Sequence, residues 1–123
     1  MIDCLVGIDA VDVDRFMRLM SSVSGLSSRI FTPKETSYSL RSQAGNFAGK
    51  EALRKALWNH KQLDFTEIEI LRSASGRPEV SLLSRSNQYA RGSELEKIDL
   101  SISYQSNLAI AIVIVSRISP KKR

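Results

Sequence analysis

The 123-residue sequence predicts one α+β domain, with helices packed on a largely antiparallel sheet. Three observations carry that prediction. Apolar residues recur at helical spacing through the first half of the chain. Short alternating or wholly aliphatic runs fill the second half. The helices come first and the strands follow, two pairs of them joined by short turns as in hairpins.

The elements follow in order. Met1 to Asp9 reads as a strand, with Ile2, Cys4, Val6 and Ile8 alternating with Asp3, Leu5 and Gly7. Residues 12–23 read as a helix whose stripe is Val13, Phe16, Met17, Met20 and Val23, with Arg15 and Arg18 off it. Ser21 to Ser28 is a serine-rich connection containing Gly25. Thr32-Pro33-Lys34-Glu35 has the form of a capping box with proline at the first helical position, predicting a helix from there to about Arg41. A further helix runs from Ala44 to Trp58, with Phe47, Ala48, Ala52, Leu53 and Ala56 on its apolar face. Asn59 to Asp64 is a polar turn, and Phe65 to Leu71 alternates as a half-buried strand. The turn Ser73 to Pro78, with Gly76, leads to a strand over Glu79 to Leu83 and closes a hairpin. Ser84 to Gly92 is ambiguous, with a short helix one option. Ile98 to Ser103 and Leu108 to Ser116 are two more strands, the last so aliphatic that it belongs deep in the sheet. Residues 1–119 thus form one domain, and 120–123 a basic tail.

Composition narrows the function. Hydrophobic residues make up 42% of the chain, enough to build a core. The one cysteine permits no internal disulfide and no cysteine zinc site, and within its strand it is expected to be a buried, inert thiol. The longest apolar run, Leu108 to Val115, is far short of the ~20 residues that span a bilayer. Asp3 stands where a signal peptide would carry basic charge, so a soluble cytoplasmic protein is expected. The net charge is +5 and is unevenly placed: residues 42–62 carry net +3 and residues 101–123 net +4. That pattern suits a phosphate-rich or acidic partner. Basic residues are not interleaved with aromatics, so nucleic acid is not expected.

Catalytic options are few. His60 is the only histidine and lies in a polar turn without a partner. No Walker loop, dinucleotide fingerprint or serine elbow is present. Carboxylates and lysines remain. Asp9 ends the first strand, and Glu51 sits between Lys50 and Lys55, with Glu51 and Lys55 four residues apart on one helix face. Two carboxylates from separate elements make a partial cage for Mg²⁺, which completes its shell with water and substrate phosphates. An ordinary surface ion pair between Glu51 and Lys55 would have the same spacing.

Longer motifs add weight. Gly7-Ile8-Asp9 with Arg15, then Arg29 to Glu35, then Ala44-Gly45-Asn46-Phe47-Ala48-Gly49-Lys50-Glu51-Ala52 with Lys55-Ala56, occur in that order. Asp64 to Ile70, Ser75-Gly76-Arg77-Pro78 and Leu100 to Ser103 follow. Together they resemble the holo-acyl-carrier-protein synthase family, the small bacterial 4′-phosphopantetheinyl transferases, from Gly7 to Val115. The resemblance implies that family's fold and its homotrimer, with active sites between subunits. It implies Mg²⁺-dependent transfer of phosphopantetheine from coenzyme A to a serine of acyl carrier protein, releasing 3′,5′-ADP, in fatty-acid or polyketide biosynthesis. By position, Asp9 and Glu51 would ligate the metal, and Lys55 would contact the transferred phosphate or help proton movement. Lys50 would add positive charge there. Gly76, Arg77, Pro78 and Ser103 would lie along the coenzyme A groove. Arg15 and Arg18 would meet the acidic carrier protein.

Three places depart from the family pattern. Tyr104 follows Ser103 where the family has histidine. Asn46 and Gly49 replace the arginine and the second alanine of the family's Gly-Arg-Phe-Ala-Ala-Lys-Glu helix. Trp58-Asn59-His60-Lys61-Gln62 replaces a glycine-rich turn. All three bear on coenzyme A. They raise the alternative of an impaired family member that binds coenzyme A or a carrier protein without turnover.

Overall fold

A computed structural model describes residues 2–58, 62–83 and 95–118. Its largest sheet has the order β1-β5-β4, antiparallel throughout. It is formed by β1 (Ile2–Asp12), β5 (Leu108–Ile118) and β4 (Leu95–Gln105). The aliphatic last strand is therefore central, as its composition predicts. β2 (Ile68–Arg72) and β3 (Pro78–Leu82) form a separate hairpin. The helices are α1 (Val13–Ser22), α2 (Leu26–Ile30) and α3 (Leu40–Ala56).

α3 lies on the inner face of the large sheet. Ala48, Ala52, Leu53 and Ala56 pack into one buried cluster with Ala111, Val113 and Val115 of β5 and with Ile68, Ile70, Leu82 and Leu100. Small residues let helix and sheet approach closely. At Gly7 the approach is extreme: a Cβ there would stand 1.8 Å from the Ala52 carbonyl oxygen. Glycine at position 7 thus fixes the spacing between the first strand and the helix that carries Glu51 and Lys55.

α1 is held by its cap. Asp12 Oδ1 accepts from Arg15 N at 2.9 Å and from Asn107 Nδ2 at 2.6 Å, while Asn107 Oδ1 accepts from Asp14 N at 3.0 Å. The bond from the Arg15 amide, then that from Asn107, hold the Asp12 carboxyl below its ordinary pKa. The β4–β5 turn, with Ser106 at φ 53, thereby clamps the start of α1.

Several expectations need correction. The Thr32 capping box does not start a long helix. Glu35 Oε1 does accept from Thr32 N at 2.9 Å, but only a 3-10 turn, Glu35–Ser37, follows. The Glu35 side chain is engaged in the core, and Tyr38 and Ser39 are extended so that Ser39 caps α3. α3 therefore begins at Leu40, ahead of the expected Ala44. Phe65–Glu67 is a 3-10 turn closed by an Asp64/Glu67 capping box, so the strand starts at Ile68. The Ser21 to Ser28 connection already contains the start of α2. Strands β1 and β4 run beyond their predicted ends. The alternation in β1 reads the wrong face: Cys4, Val6 and Ile8 are exposed, while Gly7 is buried. The Ser84 to Gly92 segment, His60 and the 120–123 tail lie outside the described residues.

Candidate active site

The side chains singled out on β1 and α3 divide into two groups. In the first, Lys55 reaches across from α3 to the end of β1. Its Nζ donates to Asp9 Oδ1 at 2.9 Å and to the Ile8 carbonyl at 3.0 Å. Asp9 is largely covered and Lys55 is more than half exposed, so the pair sits at a surface with one partner anchored. Glu51, one turn before Lys55, makes a long 3.6 Å contact with Arg54. Glu51, Arg54, Lys55, Trp58 and Gln62 line an open cleft of about 600 Å³. Glu51, Arg54 and Lys55 stand at i, i+3 and i+4 on one stripe of α3, and Trp58 follows just past its end. The sequence puts Arg54 in the charged cluster beside the apolar face of this helix but gives it no role, and it gives Trp58 none beyond a changed turn.

Lys50 belongs to the second group, and the expectation that it adds positive charge beside coenzyme A is corrected here. It is fully buried, with its ammonium spent on Glu35 Oε1 at 2.6 Å, the Ile30 carbonyl at 2.7 Å and the Phe65 carbonyl at 2.9 Å. Residue 50 is one step from residue 51 on a helix, and ~100° around it is enough to turn it from the cleft into the core. Burial lowers the Lys50 pKa, and Glu35 opposes the shift. Glu35 completes the knot by accepting from Ile70 N at 2.8 Å. The knot joins the Thr32 turn, α3 and β2 behind the cleft.

Among the described residues, the other predicted residues make no hydrogen bond or ion pair with the Asp9–Lys55 pair. Gly76, at φ 87, and Arg77 are in the exposed turn of the β2–β3 hairpin. Arg77, Pro78, Lys97 and Asp99 line a second cleft, of about 330 Å³, with Arg77 3.7 Å from Asp99. Ser103 is exposed on the outer face of β4. Arg15 and Arg18 are exposed on α1.

Two of the departures from the family pattern are absorbed by packing. Asn46 is buried, donating to the Ile70 carbonyl at 3.2 Å and accepting from Arg72 Nη2 at 2.9 Å. Tyr104 turns inward under the Arg41 guanidinium, 4.8 Å from its ring, and its hydroxyl is buried without a hydrogen-bond partner among the described residues. Gly45 makes room for it, since a Cβ there would stand 2.2 Å from the Tyr104 hydroxyl.

Among the described residues no three histidine, cysteine or carboxylate side chains gather as a metal site, and no helix is long and apolar enough to cross a membrane. Asp9 and Glu51 are hard oxygen donors of the kind Mg²⁺ prefers, and two of them suit an ion that takes its other ligands from water and phosphate.

The chain can now be set beside known proteins. It is similar to the holo-acyl-carrier-protein synthase of Clavibacter michiganensis subsp. michiganensis, 36% identical over 115 residues, covering 94% of this chain and 97% of that protein. A holo-acyl-carrier-protein synthase structure from Helicobacter pylori in complex with coenzyme A superposes with a TM-score of 0.79 at 30% identity, covering 90% of this chain and 99% of the other. A Chronobacterium ammoniagenes synthase–coenzyme A complex gives 0.81 at 25% identity, covering 95% and 99%. Residues 5–113 match the family model described as the 4′-phosphopantetheinyl transferase superfamily, and the chain belongs to that family.

Proposed function

We propose that this chain is a holo-acyl-carrier-protein synthase, moving the 4′-phosphopantetheine group of coenzyme A onto a serine of an acyl carrier protein. The observation that carries the reading is the Lys55–Asp9 bond at 2.9 Å, one helical turn from Glu51 on an open cleft. It stands in a chain whose relatives are synthases of that name, two of them seen with coenzyme A.

The chemistry asks for neutralised charge and alignment more than for a covalent nucleophile. The carrier serine Oγ forms a bond to the β-phosphorus, the P–O bond to 3′,5′-ADP breaks, and the serine proton leaves to a site carboxylate or to water. Lys55 is exposed enough to turn from Asp9 to a phosphate oxygen. Arg54, beside it, adds a second cation to the cleft. Asp9 and Glu51 would hold Mg²⁺, which when bound supplies charge neutralisation at the pyrophosphate. Arg77 on its hairpin turn, with Gly76, Pro78 and Ser103, would meet the rest of coenzyme A. Arg15 and Arg18 of α1 would meet the acidic carrier. We place this activity in the cytoplasm.

The second cleft shares no lining residue with the first within one chain, which suits a site completed by a neighbour. The outer sheet face gives the neighbour a place. Val6 and Ile8 stand opposite Ile114 and Ile112, at 59%, 56%, 40% and 41% exposure. A contiguous aliphatic face of this kind marks an association surface, and covering by further copies of the chain, as a homotrimer, accounts for it. Light scattering of the purified protein tests this: a trimer mass is expected, and a monomer at all working concentrations overturns it.

The function is tested by incubating the chain with an apo carrier protein, coenzyme A and Mg²⁺ and weighing the carrier. A gain of one phosphopantetheine is expected. Asp9→Ala and Glu51→Ala should each lower transfer by roughly 10³-fold or more, with folding intact. No gain across several carriers refutes transferase activity. Coenzyme A binding without transfer would identify an impaired member acting as a binding module.

A further inference from the structure

The cleft beside Glu51 holds one group that the phosphate chemistry does not use. Trp58, just past the end of α3, is 71% exposed, more than any other large apolar side chain among the described residues. It lines the same cleft as Arg54 and Lys55. No aromatic ring or cation among the described residues stacks on its indole. Arg54 is meanwhile held in place, 4.3 Å above the Phe65 ring and 3.6 Å from Glu51. The cleft therefore presents two cations, one carboxylate, one amide and a bare aromatic face.

We infer that Trp58 is the stacking platform for the adenine base of the coenzyme A nucleotide. The inference rests on the proposed function, and it names a residue for one part of that substrate. A purine joined to phosphates matches both halves of the cleft. The cations take the charge, and the indole takes the flat base, whose π-face stacks on aromatic side chains. The pantetheine arm is a flexible chain of amides and methylenes with no flat face to offer. Trp58 follows Lys55 by three residues, about one helical turn, which places the indole next to the phosphate-facing lysine along the cleft. The sequence has tryptophan here in place of a glycine-rich turn, so the platform is a property of this chain's own residue.

Trp58 is the only tryptophan, so its fluorescence reports the site directly. Wild-type protein is titrated with 3′,5′-ADP and, separately, with 4′-phosphopantetheine. Saturable quenching by the first and none by the second is expected. Steady-state transfer is then measured for wild type, Trp58→Ala and Trp58→Phe. Alanine should raise the KM for coenzyme A by roughly tenfold, with a much smaller change in kcat, and phenylalanine should restore most of the loss. Equal quenching by both ligands, or an unchanged KM in Trp58→Ala while wild type transfers normally, overturns the platform and leaves the transferase reading standing. No transfer by wild type together with no quenching by 3′,5′-ADP overturns both.

Discussion

Lys50 and Lys55 are five residues apart on one helix and lead opposite lives. Lys50 is fully buried, and its ammonium meets a carboxylate and two backbone carbonyls. Lys55 is 56% exposed and spans an open surface to Asp9. The first lysine joins three segments of the fold, and the second stands where chemistry can happen. Their shared residue type and the Lys-Glu-x-x-x-Lys spacing say nothing of this. The difference comes from where each side chain falls around α3, which is set by the buried alanine face and by Gly7 against Ala52.

The comparison is broken most forcefully from the buried side. Glu35→Gln leaves the Lys50 ammonium buried without its counter-charge, and a loss of about 3–5 kcal/mol is expected in denaturant unfolding. A loss below ~1 kcal/mol would mean that the knot is not a structural centre.

A smaller effect lies in pH. Burial lowers the folded-state pKa of Lys50 below its ordinary 10.5. Between that lowered value and 10.5 the unfolded chain binds more protons than the folded one, so this group makes stability rise with pH across the window. Unfolding wild type and Lys50→Met across the alkaline range should show the rise in the difference between them. A difference that is flat or falls with pH contradicts it.

The smallest effect is at Tyr104. Its hydroxyl is buried with no partner among the described residues, so Tyr104→Phe should leave stability unchanged or raise it by up to ~1 kcal/mol. A clear loss would reveal a partner for the hydroxyl.

How much of this was legible depends on the kind of signal. Periodicity found α1, the hairpin, the last two strands and the body of α3, because each is long or strongly patterned. Motif order drew Asp9, Glu51 and Lys55 together, and the structure joins Asp9 to Lys55 and sets Glu51 beside Lys55 on one cleft. The Thr32 box misled because a capping box fixes a local turn, whereas the next three residues were committed to capping α3 and to the Glu35 knot. β1 misled because both of its faces are apolar, one against α3 and one open. Lys50 was misplaced because a linear motif does not show which way around a helix each residue points. Trp58 was read only as a change in a turn.

The two lysines are best compared side by side, as Lys50→Met and Lys55→Met, measuring melting midpoint and transfer per folded molecule for each. The expected result is a crossing. Lys50→Met loses stability and keeps most of its transfer per folded molecule, while Lys55→Met keeps its midpoint and loses transfer by ~10²-fold or more. If Lys55→Met transfers normally, or if Lys50→Met is stable but inactive, the division of α3 into a structural and a chemical face is wrong.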